Sequence, residues 1–154
     1  MPAPAPFSFS ISAGAAKVFA LAVSLAFPAS SVAQDNGSLI VEAVTFNIRF
    51  ANPDDGPNAW EHRREMASAL IQCLEPDVLG VQEALASQIR DLDAALPHFA
   101  REGVGRDDGV EAGEFSALFF RKDRFDRVDG GTFWLSDTPE VAGSNTWAEG
   151  GTRM

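Results

Sequence analysis

The chain alternates between short apolar runs of strand length and longer segments whose apolar residues recur every three or four positions. Apolar runs bounded by turn residues predict buried strands, and the helical spacing predicts amphipathic helices. The predicted strands are 39–49, 78–82, 115–120 and 132–135, and the predicted helices are 60–74 and 85–96. Turn residues predict loops over 52–58 and 103–113. Strands alternating with helices and followed by further strands predict a layered α/β domain with a mixed sheet, in which 39–49 and 78–82 are buried central strands.

Residues 1–33 have the pattern of a secretory signal peptide. An apolar run over 18–27 follows a segment without acidic residues, and small residues end at Ala33. We therefore expect cleavage before Gln34, a short flexible lead-in over 34–38 and an exported, periplasmic or secreted protein. A membrane anchor is the alternative, but a membrane span needs about 20 apolar residues.

Composition narrows the class of protein. A chain of 154 residues has room for one domain once a signal peptide is removed. The formal net charge of -10 argues against a basic groove for nucleic acid, although metal ions can offset acidic charge locally in a phosphate-handling enzyme. Cys73 is the single cysteine, so an intrachain disulfide and a four-thiolate zinc site are excluded. We expect Cys73 to be a small buried apolar residue of the first helix.

Glu83 is the first candidate for chemistry, because it follows the predicted buried strand 78–82 directly. Ligands of α/β sheets bind at the carboxyl ends of strands, and a carboxylate there suits Mg²⁺, which takes few protein ligands and keeps several waters. The alternative is an acid that complements the dipole of the predicted helix 85–96. Position alone does not choose between the two.

Three further residues are candidates near Glu83. Asn47 interrupts an apolar strand, where an amide needs a hydrogen-bond partner. It either anchors the following loop or fixes a phosphate or carboxylate, if its strand neighbours that of Glu83. Arg49 is expected on the same side as Asn47, because side chains alternate along a strand. Glu114 opens the predicted strand 115–120, and a solvated strand-end charge is its alternative interpretation.

Three segments together resemble the endonuclease/exonuclease/phosphatase superfamily, which has the deoxyribonuclease-I-like fold. The segments are 45–49 (TFNIR), 77–83 (DVLGVQE) and 114–121 (EFSALFFR). Stretches within 52–64, 105–109 and 131–136 resemble a branch of exported bacterial members. The resemblance extends over 41–154, and it implies a four-layer α/β sandwich of two packed sheets. By this resemblance, 39–154 is the amino-terminal part of such a domain.

The resemblance also implies an activity and roles for residues. It implies hydrolysis of a phosphodiester or phosphomonoester with Mg²⁺ or Mn²⁺. Glu83 matches the family's metal-binding Glu. Asn47, which we count with Glu83 as a metal-site residue, matches the Asn that positions phosphate and active-site carboxylates. Glu114 matches the acid that orients a catalytic His in nuclease members. Arg153 matches a phosphate-contacting Arg, and Arg49 lies where many members have an active-site Arg or Asp.

The sequence departs from the family in its remaining catalytic residues. The family's catalytic His, its Asp-x-Asn pair and its closing Asp-His pair have no counterpart here, and neither His62 nor His98 matches them. We therefore expect this chain to be inactive by itself.

Two other classes of protein stay open, and the substrate is predicted only coarsely. A calcium-binding module is suggested by Asp-Asp-Gly at 54–56 and 107–109, although neither has the alternating acids of an EF-hand loop. A non-catalytic secreted binding module is suggested by Trp60, Trp134 and Trp147. For the enzyme, the acidic charge favours a small phosphoester, nucleotide or lipid head group over polymeric nucleic acid. No transmembrane segment is expected.

Overall fold

A computed structural model describes residues 39–147 and Met154. The strands over this part of the chain are β1 (Ala43–Asn47), β2 (Val78–Ala84), β3 (Phe99–Glu102) and β4 (Phe115–Arg121). The helices are α1 (Trp60–Leu74) and α2 (Ala86–Ala95), with a 3₁₀ segment, Pro53–Asn58, between β1 and α1. The mixed α/β fold predicted from the sequence is confirmed.

The described strands form one sheet in the order β1-β2-β4-β3. β1 is parallel to β2, whereas β4 is antiparallel to both β2 and β3. The central position predicted for the strand at 78–82 is therefore confirmed. The prediction of a buried central strand over 39–49 is wrong: β1 covers only five of these residues, lies at the edge of the described sheet and exposes Ala43, Thr45 and Asn47.

One face of the sheet carries the core, and both helices pack against it. Leu79 and Val81 of β2 are fully buried there, while the alternate residues Gly80 and Gln82 are only half-buried. The core cluster consists of Ile48, Trp60, Ala67, Ile71, Leu79, Val81, Ala84, Ile89, Leu92, Leu96, Phe115, Ala117 and Phe119. The described residues thus form one helical layer on one β layer.

The helical spacing in α1 predicts the helix correctly but not the face that it buries. Met66, Leu70 and Leu74 are exposed, whereas Ala67 and Ile71 are buried against the sheet. Cys73 is exposed as well, so the expectation that it is a core residue is wrong. Helix α1 has apolar residues on more than one face, and its position over the sheet decides which face is buried.

Two strand assignments differ between sequence and structure. The predicted strand over 132–135 does not form, because Trp134 is buried with its indole N–H donated to Arg106 O and its backbone N–H to Pro139 O at 2.9 Å. β3 was not predicted. It is a four-residue strand that pairs Phe99 with Arg121 of β4. Its charged residues are typical of a short edge strand rather than of a buried one.

Within 39–147, neither helix combines the length and the apolar character that crossing a bilayer requires. The proposed signal peptide 1–33 with its cleavage at Ala33, the lead-in 34–38 and the candidate Arg153 lie outside the described residues.

Candidate active site

Strand topology brings three of the candidate residues to one edge of the sheet. β1 and β2 are parallel, so their carboxyl ends, with Asn47 and Glu83, lie at the same edge. β4 runs the other way and begins at this edge, where Phe115 pairs with Ala84. Glu114, the residue before β4, therefore lies at this edge too. It is the edge at which ligands of α/β sheets bind.

Asn47 and Glu83 are in direct contact. The Asn47 side chain donates from Nδ2 to Glu83 Oε1 at 2.8 Å and accepts at Oδ1 from the backbone N–H of Arg49 at 2.9 Å. The nitrogen and the oxygen of the Asn47 amide therefore both have hydrogen-bond partners. These partners explain how the apolar strand can accommodate an amide. The contact fixes the Glu83 carboxylate from one side, and no hydrogen bond to its other oxygen, Oε2, is found among the described residues.

The backbone at both strand ends is strained. Glu83 has a φ of 61° and Arg49 a φ of 55°, in the left-handed region that non-glycine residues seldom occupy. The pairing of β2 with β4 shifts register between Val81 and Ala84, so a bulge surrounds Glu83. Such residues cost roughly 1–3 kcal/mol each and persist where the surroundings hold them, commonly at functional sites.

Arg49 forms a two-pronged ion pair with Asp55 of the 3₁₀ segment. Its Nε and Nη2 donate to the two Asp55 oxygens at 2.6 and 2.7 Å. The hydrogen bond and charge of Arg49 lower the pKa of Asp55 below its ordinary value. The Asp55 carboxylate, and to a smaller extent the charge of Glu83, raise the pKa of Arg49. Strand alternation was the reason for expecting Arg49 on the same side as Asn47. That reason is wrong, because β1 ends at Asn47 and does not include Arg49.

Gln88 holds the two strand ends together, and sequence reasoning missed it. Its side chain is fully buried. Oε1 accepts from the backbone N–H groups of Ala51 and Leu85 at 2.8 and 3.0 Å, and Nε2 donates to the carbonyl of Arg49 at 2.9 Å. The signal was present, because Gln88 lies three residues after Leu85 and four before Leu92, on the apolar face of the predicted helix.

Glu114 lies at the same edge but has a different partner. Its Oε2 accepts from Nη1 of Arg106 at 2.7 Å, and both side chains are about three-quarters buried. The backbone N–H of Arg106 also donates to Glu114 O at 3.2 Å. The two residues therefore close the loop that the sequence predicts over 103–113. The structure therefore brings Asn47, Arg49 and Glu83 together, and gives Glu114 a place nearby with its charge already paired.

The two histidines take no part in this group of side chains. His62 lies on α1, exposed, with its Nε2 3.4 Å from Glu61 Oε1. His98 lines a groove of about 750 Å³ beside Lys122, at the end of the sheet where β4 finishes. Neither histidine is placed to act as a general base beside Glu83.

The donor set fits a hard divalent cation with few protein ligands. No group of three or more His, Cys, Asp or Glu side chains able to hold a metal is found within the described residues. A transition-metal cage of nitrogen and sulfur ligands is therefore not formed by them. Mg²⁺ needs only one or two carboxylates and completes its shell with water and substrate oxygens. Glu83, which is half-buried and oriented by Asn47, supplies one such carboxylate.

Comparison with known proteins gives several relatives. No family model matches the chain. An endonuclease/exonuclease/phosphatase from Bacteroides vulgatus is 43% identical with a TM-score of 0.72, over 73% of this chain and 43% of that one. A mannosyl-6-phosphatase from Bacteroides thetaiotaomicron is 39% identical with a TM-score of 0.70, over 74% of this chain and 43% of that one. An uncharacterized protein of Acanthamoeba polyphaga mimivirus is 28% identical in an alignment 119 positions long, which covers 66% of this chain and 17% of that protein.

These relatives confirm the resemblance that the motifs predict. The chain is similar to endonuclease/exonuclease/phosphatase family proteins in sequence and in structure, and it has the α/β fold of that family. It spans less than half the length of these solved relatives, at 43% of each.

Proposed function

We propose that the protein is a divalent-metal-dependent phosphoesterase that acts on small phosphoesters, with Mg²⁺ or Mn²⁺ held at Glu83. The observation that carries this proposal is the Asn47–Glu83 contact at the carboxyl ends of β1 and β2. It orients one half-buried carboxylate within electrostatic range of Arg49, and phosphoryl transfer needs positive charge placed around the phosphate oxygens.

Each residue of the site has a role in this proposal. Glu83 holds the metal, and Asn47 orients the carboxylate of Glu83 and contacts the phosphate. Arg49 offers a planar fork that suits phosphate oxygens, although it must share that fork with Asp55. When bound, the metal supplies positive charge to the phosphate oxygens and lowers the pKa of a coordinated water.

Two further roles rest on the family resemblance alone. Glu114 would orient a general base, and its ion pair with Arg106 already fixes its side chain at the site edge. Arg153 would contact the phosphate. The family's catalytic His, Asp-x-Asn pair and Asp-His pair have no counterpart in this sequence, so we propose that the 154-residue chain binds metal and phosphoester without turning the ester over.

The substrate class follows from charge and from the relatives. A formal net charge of -10 repels a long phosphate polymer more strongly than a small phosphoester. One relative with 39% identity is a mannosyl-6-phosphatase, which acts on a small sugar phosphate by its name. A sugar phosphate, a nucleotide or a lipid head group therefore fits better than DNA.

We also propose that the protein is exported after cleavage near Ala33.

Ligand binding by the full chain tests this function. Binding of p-nitrophenyl phosphate is measured by calorimetry with Mn²⁺, with EDTA, and in Glu83→Gln with Mn²⁺. We expect binding that requires both Mn²⁺ and Glu83, and no release of p-nitrophenol. Binding or hydrolysis that EDTA leaves unchanged would reject the metal-dependent function. Hydrolysis that requires Mn²⁺ and Glu83 would support the function and reject only the inactivity of this chain.

A further inference from the structure

The side chain of Gln88 joins the two loops that leave β1 and β2. It contacts the carbonyl of Arg49 and the N–H of Ala51 on one loop, and the N–H of Leu85 on the other, all within 3.0 Å. Arg49 lies two residues after Asn47, and Leu85 lies two residues after Glu83. One buried amide thus spans the segments that carry the two members of the site contact.

Part of this arrangement is an ordinary helix cap. The contact with Leu85 is the backward reach of a side chain at the third position of α2 to the N–H of the residue before the helix. The contacts with Arg49 and Ala51 are not explained by capping, because these residues belong to the loop after the neighbouring strand, 39 and 37 positions away. A cap alone would need only the first contact.

The contacts of Gln88 lie next to the two residues with strained backbone. Arg49 and Glu83 both have positive φ angles, and the surroundings must hold them there. Gln88 binds the carbonyl of Arg49 itself and the N–H that lies two residues past Glu83. Arg63 adds a second anchor on the first loop through Ile48 O at 2.7 Å and, more weakly, through Arg49 O at 3.4 Å, but among the described residues its hydrogen bonds do not include the loop after Glu83.

We propose that Gln88 is a positioning residue, which keeps the side chains of Asn47 and Glu83 in contact by fixing the loops after β1 and β2 to each other. Its consequence for metal binding rests on the proposed function, whereas its effect on the Asn47–Glu83 contact does not. Loss of the amide leaves both strands in place but frees their strained ends, so the carboxylate of Glu83 is no longer held in one orientation.

Two variants of Gln88 and one matched control test this role in the full chain. Gln88→Met keeps the side-chain volume and removes all three contacts. Gln88→Glu keeps acceptors for Ala51 and Leu85 and removes the N–H that reaches Arg49. The control is Gln72→Met, which removes a single glutamine contact, from Nε2 to Ala95 O at 2.9 Å, away from the site edge.

The first readout is nuclear magnetic resonance without metal. In the wild type we expect slow hydrogen exchange at the Ala51 and Leu85 amides and a shifted Asn47 side-chain amide signal that Glu83→Gln moves. Gln88→Met moves that signal in the same way, Gln88→Glu moves it less, and Gln72→Met leaves it unchanged. Exchange of both backbone amides at the unprotected rate in the wild type would overturn the proposal, and this measurement needs no variant to fold.

The second readout is affinity for Mn²⁺ alone, measured where circular dichroism shows each variant folded. We expect Gln88→Met to weaken Mn²⁺ binding about tenfold, the range found when partners of metal ligands are removed, with Gln88→Glu between it and the wild type. Wild-type affinity in Gln88→Met, even with a lower melting temperature, would show a merely structural role and overturn the proposal. If Glu83→Gln itself binds Mn²⁺ as the wild type does, the proposed function fails, and the resonance of Asn47 alone decides the role of Gln88.

Discussion

Asn47 donates its side-chain N–H to the carboxylate of Glu83 at 2.8 Å, across the carboxyl ends of two parallel strands. The same amide accepts from the backbone of Arg49, so its orientation is fixed by two partners. A half-buried carboxylate held in this way can receive a cation with little further loss of side-chain freedom on binding.

Replacement of Asn47 tests the value of this contact. We expect Asn47→Leu to weaken Mn²⁺ binding about tenfold, because the Glu83 carboxylate loses its orienting donor. The melting temperature should change little, since Asn47 is exposed and Glu83 is only half-buried. Thr45→Val is the matched control, because it removes a hydrogen bond to Gln82 on the same exposed face of β1 without touching Glu83. Equal losses of affinity in the two variants would contradict the role of Asn47.

The ion pair between Arg49 and Asp55 predicts a pH dependence. The pKa of Asp55 is lowered in the folded chain, so the pair contributes stability above the unfolded-state pKa of Asp55, roughly 3.9, and loses it as the pH falls through the lower folded value. Carbon-13 resonance of the Asp55 carboxyl should therefore titrate at a lower pH than in the urea-unfolded chain. In Arg49→Gln the midpoint should rise toward the unfolded value. A midpoint that this substitution leaves unchanged would assign the shift to another cause.

The buried carboxylate of Asp77 predicts a large loss of stability on removal of its cation. Asp77 is 2% exposed, accepts from the backbone of Glu42 at 2.9 Å and is paired with Arg124. Arg124→Ala leaves that charge unpaired, and we expect a loss of about 3 kcal/mol in the free energy of unfolding, measured by urea titration with tryptophan fluorescence. The control Arg90→Ala breaks an exposed pair with Glu111 and should cost less than about 0.5 kcal/mol. Similar losses in both variants would contradict the structure.

Exposure of Cys73 predicts rapid labelling of the folded chain. The thiol lies on the solvent side of α1, so a disulfide reagent should modify one equivalent without denaturant. Cys73→Ser is the blank. Labelling that begins only when urea unfolds the chain would show that Cys73 is buried, as the sequence pattern predicts, and would contradict the structure.

Local patterns predicted most of the elements, and tertiary packing decided the rest. Apolar runs and helical spacing were sufficient for β2, β4 and both helices. They could not choose between the Ile71 face and the Met66 face of α1, because both contain apolar residues at helical spacing. The run at 132–135 is apolar because Trp134 fills a place under the loop at Arg106, a use that the sequence pattern does not distinguish from strand pairing.

The same division holds for the site. Asn47 and Glu83 were identified because a polar residue at the end of an apolar strand is conspicuous, and parallel pairing then joined them. The partner of Arg49 depends on a left-handed backbone and on the 3₁₀ segment, neither of which strand alternation predicts. Gln88 was missed because its three partners are backbone groups, which the sequence does not identify; its sequence signal is no more than a polar residue on the apolar face of the predicted helix.

Calorimetric titration of Mn²⁺ into the full chain and into Glu83→Gln tests the central claim most directly. The account predicts one site per chain in the wild type and at least a tenfold higher dissociation constant in Glu83→Gln, with similar melting temperatures because glutamine keeps an oxygen that can accept from Asn47. An unchanged dissociation constant and stoichiometry in Glu83→Gln would contradict it.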